Sequence, residues 1–169
     1  MLKKNLPNII TITRIIGTLV FAHLKVLSVP FYIAYIYSGL SDVADGFIAR
    51  KYNLESEFGR KLDSISDLFF YTMMVIKIWP YLVTDLPLYV WIMIYVTLGV
   101  RVLEYIYKSI VHHELLASHN YLNKTTGALM FCLPFMIKTK KFVVYSTIVV
   151  NVALVAAIYE MVLNIKGKL

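Results

Sequence analysis

The chain has 169 residues, of which 59% are hydrophobic and only 16% are charged, and its mean hydropathy is +0.69. Soluble domains average roughly 25% charged and 45–50% apolar residues, so this composition excludes an ordinary water-soluble fold and predicts contact with lipid. The net charge of +7 does not predict a nucleic-acid partner, because the basic residues stand mostly at the ends of apolar segments, as they do in membrane proteins.

Six apolar segments are separated by polar or helix-breaking residues, and the chain is long enough for about six spans of about 20 residues with short connections. They cover approximately residues 8–27, 31–49, 58–79, 88–108, 125–137 and 142–163. We therefore predict an all-α, polytopic membrane protein with six transmembrane helices, forming a single domain over residues 1–169. Membrane lipids surround such a fold.

The first segment follows a basic start and has no small-residue cleavage site, so we expect it to be retained. Arg14 predicts that the start of this segment is amphipathic and interfacial. Ser28 and Pro30 interrupt the chain after it, and Pro80 is expected to end the third segment.

The distribution of Lys and Arg predicts the orientation. If Lys3 and Lys4 are cytoplasmic, then the polar connections "RKYNLESEFGRK" and "KSIVHHELLASHNYLNK" lie on the same side, whereas the basic turn "KTKK" lies opposite and disagrees with the rule. We predict a multi-pass protein of the cell (inner) membrane with a polar cavity open to the cytoplasm.

Four aspartates flank the first polar connection. Asp42 and Asp45 end the second segment, and Asp63 and Asp67 lie early in the third. Spacings of three and four place each pair on one helix face, and antiparallel helices would bring the pairs together. Four carboxylates at a membrane repel one another unless cations hold them, and oxygen-only ligands suit Mg²⁺ or Mn²⁺.

Small and basic residues accompany the carboxylates. Gly46, Ala49 and Gly59 leave a notch beside them, and the guanidinium of Arg50 can bind a phosphate. Together they predict a site for a diphosphate-bearing ligand. Helix capping and glycine packing would explain one such pair, but they do not explain the whole array.

The stretch "DVADGFIARKYNLESEFGRKLDSISD" fits D-x2-D-G-x2-A-R-x8-G-x3-D-x3-D at all eight fixed positions. In this it resembles the CDP-alcohol phosphotransferase family of integral membrane enzymes. The resemblance implies transfer of a substituted phosphoryl group from CDP-diacylglycerol to a small polar alcohol, with release of CMP, and it implies a homodimer.

The resemblance also implies roles for the residues. Asp42, Asp45, Asp63 and Asp67 would hold two Mg²⁺ or Mn²⁺ ions, with Asp67 acting as the catalytic base. The CDP-linked donor would be bound by residues of the same signature and its connection, namely Asp42, Gly46, Ala49, Arg50, Ser56 and Gly59.

The stretch "LPNIITITR" is similar to the phosphatidylglycerophosphate synthase branch of the family, in which Asn8 and Thr11 would touch the donor. For Asn8, helix capping after Pro7 is an equal alternative. Arg101 and Lys124 would bind the phosphate of glycerol 3-phosphate, and positive-inside anchoring is their equal alternative.

Other acceptors and another class of protein stay open. The string "LDSISD" is typical of serine-specific members, although the "FGVAP"-like sequence of those members does not follow it. Inositol and inositol phosphate also stay open as acceptors. A divalent-cation carrier would use the aspartates as an ion path, but it has no use for Arg50. Prenyl-diphosphate chemistry usually needs denser acidic clusters.

Overall fold

A computed structural model of the chain describes residues 6–52, 54, 56–111 and 121–166, and these residues form an all-α fold, as predicted. The helices are α1 (Leu6–His23), α2 (Val29–Lys51), α3 (Glu57–Asp85), α4 (Leu88–Val111), α5 (Tyr121–Met136) and α6 (Phe142–Ile165). By length and composition, α1, α4 and α6 are able to cross a membrane. The six spans and the cytoplasmic cavity stay predictions, and Lys3 and Lys4 lie outside the described residues.

The break between α1 and α2 has a local cause. Leu27 adopts a positive φ of 66°, which reverses the chain after α1. The hydroxyl of Ser28 then accepts a hydrogen bond from the Phe31 backbone N–H at 3.3 Å. Pro30 lies in the first turn of α2, where its missing N–H leaves no helical bond unmade. Ser28 and Pro30 therefore start α2, while α1 already ends at His23.

Pro80 does not end the third helix, contrary to the prediction, because α3 continues through it to Asp85. Pro134 likewise lies inside α5. A proline removes one backbone hydrogen bond from a helix, and a helix rich in apolar side chains can continue past it at that cost.

The chain divides into two compact units, Met1–Pro80 and Tyr81–Leu169. The first unit contains α1, α2 and most of α3. The second contains α4, α5 and α6. The prediction of a single domain over residues 1–169 stays a prediction.

The first unit has an aromatic layer, which consists of Phe21, Phe31, Tyr35 and Phe70. All four side chains are buried. The ring of Phe21 contacts the other three edge-on with centroids 5.5–5.7 Å apart, and Tyr35 stacks on Phe70 at 5.1 Å. Edge-on and offset stacked rings are the arrangements that aromatic side chains prefer. The layer ties together α1, α2 and α3.

The same helix faces carry charged side chains at a fixed distance from this layer. Seven residues, or about 10 Å of helix, separate the two levels. The pairs are Arg14 and Phe21 in α1, Tyr35 and Asp42 in α2, and Asp63 and Phe70 in α3. Since the order is reversed in α2, this helix runs antiparallel to α1 and α3.

The backbones of α1 and α2 approach each other at Gly17. A Cβ atom at this position would lie 2.4 Å from Ser38 Oγ and 3.2 Å from Tyr37 Cδ1. Ser38 is fully buried, and its hydroxyl donates to the Ala34 carbonyl at 2.9 Å. Only a glycine allows the two helices to pack this closely.

In the second unit, Val90, Val149, Ala156 and Ala157 are buried. The hydroxyl of Tyr145 in α6 donates to the Leu129 carbonyl in α5 at 2.8 Å. In both units large apolar side chains are exposed on every described helix, which is expected of a surface that contacts lipid rather than water. Examples are Ile16 in α1, Ile33 in α2, Leu68 in α3, Ile92 in α4, Phe135 in α5 and Val155 in α6.

Candidate functional site

The structure brings the four aspartates together around Arg14. Arg14 Nη1 lies 2.9 Å from Asp42 Oδ1, 3.0 Å from Asp63 Oδ1 and 2.5 Å from Asp67 Oδ1. Its other terminal nitrogen, Nη2, donates to Asp45 Oδ2. We call the four aspartates the acidic cluster. The convergence predicted from their spacing is therefore seen within the first unit.

The members of the acidic cluster differ in exposure. The side chain of Asp45 is 5% exposed, whereas those of Asp42, Asp63 and Asp67 are 46%, 44% and 42% exposed. The cluster thus has one buried carboxylate and three open ones.

The three open carboxylates fit a divalent cation. Asp42, Asp63 and Asp67 each offer one oxygen, and these oxygens lie within 4.8 Å of one another. Ligands on opposite sides of a Mg²⁺ ion are about 4.2 Å apart, so the three carboxylates could share one ion if Arg14 Nη1, which lies 2.5–3.0 Å from an oxygen of each, shifted aside. One guanidinium cannot balance the charge of four carboxylates when they are ionised, and the excess negative charge also favours a cation.

Thr11 holds the buried member of the cluster. Its hydroxyl lies 2.8 Å from Asp45 Oδ2 and 3.0 Å from the Pro7 carbonyl, and it is itself buried. Thr11 therefore has a partner within the chain, and its contact with a donor nucleotide stays a prediction.

Asn8, Ser56 and Gly59, predicted to bind the donor, lie together where α1 and α3 begin. A Cβ atom at Gly59 would be 2.9 Å from Asn8 Oδ1 and 3.0 Å from Ser56 Oγ. Ser56 Oγ also accepts a hydrogen bond from the Gly59 backbone N–H at 3.0 Å, as an N-cap residue does. Ser56 therefore has a structural role, and Gly59 permits the close approach of Asn8.

Gly46 directly follows Asp45 of the acidic cluster in α2, and Ala49 and Arg50 lie about one turn further on. The side chain of Arg50 is exposed, and a Cβ atom at Gly46 would meet its Nη2 only at 3.6 Å, an ordinary contact distance. Protein packing therefore does not require a glycine at position 46.

An apolar groove of about 720 Å³ runs between α1 and α2. It is lined along α1 from Thr13 to Leu24 and along α2 from Pro30 to Tyr37. Thr13 precedes Arg14 in the chain, so the groove begins at the level of α1 that also carries Arg14. Apart from the hydroxyls of Thr13 and Tyr37, its lining side chains are apolar.

Arg101 lies in the second unit, within a set of buried and half-buried polar side chains that we call the α4–α6 network. Its members are Arg101, Glu104, Lys108, Asn123, Glu160 and Asn164. Arg101 Nη1 lies 2.9 Å from Glu104 Oε2 and 2.6 Å from Glu160 Oε2, and Nη2 lies 2.5 Å from Asn123 Oδ1. Two glutamates thus compensate the charge that was predicted to bind the acceptor phosphate.

Glu160 is a centre of this network. Asn123 Nδ2 donates to Glu160 Oε2 at 2.7 Å, and Lys108 Nζ lies 3.5 Å from Oε1. Glu104 accepts a bond from Asn164 Nδ2 at 3.2 Å. Lys124, by contrast, is exposed, with its ammonium 5.8 Å from the Tyr121 ring centre. The acceptor roles of Arg101 and Lys124 stay predictions.

Sequence reasoning missed Arg14. We expected an interfacial residue that sets topology, but its side chain is 1% exposed at the centre of the acidic cluster. The available signal was a charged residue inside an apolar segment, which marks a functional site by default. Glu104 and Glu160 carried the same signal within the fourth and sixth segments.

Comparison with known proteins agrees with the geometry. A sequence profile of the CDP-alcohol phosphatidyltransferase family matches residues 4–159. A CDP-diacylglycerol--glycerol-3-phosphate 3-phosphatidyltransferase of Rickettsia bellii is 39% identical over 75 residues, which is 38% of this chain and 38% of the relative. The protein of the same name from Rickettsia felis is 37% identical over 75 residues, with the same coverage of both chains.

A more distant similarity involves a Schizosaccharomyces pombe protein named cardiolipin synthase (CMP-forming) / mitochondrial hydrolase fusion protein. It is 36% identical over 64 residues, which is 37% of this chain and 11% of the relative. All these matches cover well under half of the relatives' own lengths. No solved structure matches the chain significantly.

Proposed function

Since the chain belongs to the CDP-alcohol phosphatidyltransferase family, we propose that it transfers the phosphatidyl group of CDP-diacylglycerol to glycerol 3-phosphate and releases CMP. The observation that carries this proposal is the acidic cluster, in which three open carboxylates offer oxygens within 4.8 Å of one another. The names of the two Rickettsia relatives support glycerol 3-phosphate as the acceptor.

We assign the proton transfer to Asp67. Its side chain is 42% exposed, so an acceptor hydroxyl can reach the carboxylate. Asp67 takes the hydroxyl proton while the acceptor oxygen forms a bond to the diacylglycerol-linked phosphorus, and the bond from that phosphorus to the CMP oxygen breaks. Asp42, Asp45, Asp63 and Asp67 would hold two Mg²⁺ or Mn²⁺ ions. Such ions, when bound, neutralise the diphosphate and the leaving CMP.

The donor nucleotide is proposed to lie against Gly46, Ala49 and Arg50, with Arg50 on the phosphates. The space beside Gly46 supports this, because the first side-chain atom of the described residues that a Cβ there would meet is Arg50 Nη2, at 3.6 Å. Asp42, Asn8, Thr11, Ser56 and Gly59 complete the proposed donor set. The apolar groove between α1 and α2 supports a donor that carries acyl chains.

For the acceptor, we propose that Lys124 and Arg101 bind its phosphate. Lys124 is the exposed member of the pair. Serine is a second candidate acceptor because of the "LDSISD" stretch, in which the exposed Ser64 hydroxyl bonds the Arg60 carbonyl at 3.0 Å. Inositol and inositol phosphate complete the set to be tested.

The setting of the enzyme is part of the proposal. We propose six transmembrane helices, a single functional domain over residues 1–169, and a homodimer in the cell (inner) membrane, with a polar cavity that opens to the cytoplasm. The exposed apolar side chains on every described helix support the membrane location.

The decisive experiment is an acceptor panel. The detergent-solubilised protein receives CDP-diacylglycerol, Mg²⁺ or Mn²⁺, and one of glycerol 3-phosphate, serine, inositol or inositol phosphate, and CMP release is followed. We expect turnover with glycerol 3-phosphate that EDTA abolishes. Turnover with serine alone would replace the acceptor assignment, and no CMP release with any alcohol would overturn the proposed function.

A variant pair tests the assignment of the base. Asp67→Asn should abolish turnover while leaving donor binding largely intact. The matched control is Asp85→Asn, which changes an exposed aspartate at the end of the same helix. Near-wild-type rates in Asp67→Asn would refute the role of Asp67. Cation flux into proteoliposomes without CMP release would instead favour a carrier.

A further inference from the structure

We infer that Arg14 is a positioning residue that acts as a built-in cation of the acidic cluster and keeps its carboxylates together when no metal is bound. The inference rests on the proposed metal use of the cluster. It assigns a role to a residue that lies outside the D-x2-D-G signature and on a different helix, α1.

The contacts of Arg14 divide between its two terminal nitrogens. Nη1 faces the open carboxylates of Asp42, Asp63 and Asp67 at 2.5–3.0 Å. Nη2 faces the buried carboxylate of Asp45. One planar group therefore reaches two sides of the cluster at once, which a single ammonium cannot do.

Burial fixes the guanidinium in this position. Arg14 is 1% exposed, and its Nε has no hydrogen-bond acceptor among the described residues. The polar contacts of the side chain are consequently made by its terminal nitrogens. Arg14 lies on the buried face of α1, together with Thr11, Thr18 and Phe21. A buried charge of this kind is tolerated only when opposite charges compensate it, and here the aspartates do so.

The arrangement separates two tasks. Asp45 makes its contacts within the protein, because Arg14 and Thr11 both donate hydrogen bonds to its Oδ2. The other three aspartates keep about half of their side-chain surface open and their oxygens within 4.8 Å of one another. Without Arg14, four carboxylates would face one another with no positive charge among them, and their repulsion would push them apart.

This predicts a particular dependence of stability on metal. In wild-type protein, Arg14 neutralises part of the cluster whether or not metal is bound. In Arg14→Gln, that part of the repulsion is relieved only by metal. Because a ligand that binds the folded state stabilises it, added Mg²⁺ should rescue the variant more than it stabilises the wild type.

The experiment compares Tm in EDTA and in Mg²⁺ for full-length protein in detergent. We expect the Tm of Arg14→Gln to fall further below the wild-type Tm in EDTA than in Mg²⁺. The rise in Tm that Mg²⁺ induces should therefore be several degrees larger for the variant than for wild type. Arg14→Lys keeps the positive charge but lacks the two terminal nitrogens of the guanidinium, and its Mg²⁺-induced rise in Tm should lie between those of wild type and Arg14→Gln. It also serves as the test if Arg14→Gln does not fold.

The matched control is Arg60→Gln, which removes an exposed arginine from α3, and its Mg²⁺-induced rise should equal that of wild type. If each Arg14 variant loses as much Tm relative to wild type in Mg²⁺ as it does in EDTA, the inference is overturned. Arg14 would then have a structural role that is independent of metal. A wild-type Tm that responds to neither Mg²⁺ nor Mn²⁺ would overturn the proposed metal use, and the inference with it.

Discussion

Arg14 Nη2 donates to Asp45, a carboxylate that is almost completely buried, while Nη1 of the same guanidinium faces carboxylates that are open to solvent. Asp45 therefore differs from the other aspartates of the signature in its surroundings, although the sequence pattern treats all four alike. Stability and metal binding should respond differently when different members of the cluster are changed.

Asp45→Asn should destabilise the protein strongly, and Asp63→Asn should not. The first change replaces the buried carboxylate that accepts from Thr11 and Arg14 Nη2 with a neutral amide, a loss of about 1.5–3 kcal/mol. The second removes one of several open carboxylates and should change stability by less than about 1 kcal/mol, but weaken Mn²⁺ binding. Thermal unfolding in EDTA and calorimetric Mn²⁺ titration measure the two effects. Equal Tm losses in the two variants would contradict the division of the cluster.

Thr11→Val should lower stability by about 1 kcal/mol, because it removes the hydroxyl that donates to Asp45 while keeping the shape of the side chain. Thr125→Val is the control, since the exposed Thr125 hydroxyl bonds the Tyr121 carbonyl one turn earlier. Thermal unfolding compares the two. If both variants behave like wild type, the Thr11–Asp45 bond contributes nothing to stability.

Gly17→Ala should destabilise the first unit, and Gly99→Ala should not. The new methyl group at position 17 would overlap the buried Ser38 hydroxyl, and overpacking of this kind costs about 1–3 kcal/mol. Apart from the backbone of its own helix, no atom of the described residues lies within 4 Å of the corresponding position at Gly99, where alanine should gain up to about 1 kcal/mol of helix propensity. The order of the two Tm values tests the close approach of α1 and α2.

Gly46→Ala should separate ligand binding from folding. Its methyl group would meet Arg50 at an ordinary distance, so we expect an unchanged Tm but a raised KM for CDP-diacylglycerol. Gly59→Ala should lower Tm as well, because its methyl group would crowd Asn8 and Ser56. An unchanged donor KM in Gly46→Ala would remove Gly46 from the proposed donor set.

Glu160→Gln should destabilise the second unit by about 3–5 kcal/mol, because it leaves Arg101 and Lys108 with one glutamate between them in a buried network. Glu57→Gln is the control. Its exposed pair with Lys61 should contribute less than about 1 kcal/mol. Denaturation followed by circular dichroism measures both changes. A similar small loss in both would show that burial does not strengthen the α4–α6 network.

The meeting of the four aspartates could be predicted because it follows from local rules. Spacings of three and four place residues on one helix face, and a short connection makes consecutive helices antiparallel. The partner of these aspartates could not be predicted in the same way. Arg14 precedes Asp42 by 28 residues, and an arginine near the start of an apolar segment satisfies the positive-inside rule equally well.

Two other features depend on tertiary structure. Pro80 is a helix breaker by local propensity, yet α3 continues to Asp85. Glu104 and Glu160 lie 56 residues apart, and no repeating pattern connects them, so only the packing of α4 against α6 reveals their common contact with Arg101. Local sequence therefore indicates which residues carry charge, while packing decides which charges meet.

The aromatic layer has a consequence for enzyme engineering. Phe21, Tyr35 and Phe70 each stand seven residues from a charged side chain on the same helix. The packing of their rings sets the rotation and the axial position of each helix. It thereby also sets where the charged side chains lie, two turns away. Replacing one ring with a flexible aliphatic side chain would make the positions of the charged side chains less well defined without altering any ionisable group. Attempts to redesign the acidic cluster should leave these three rings intact.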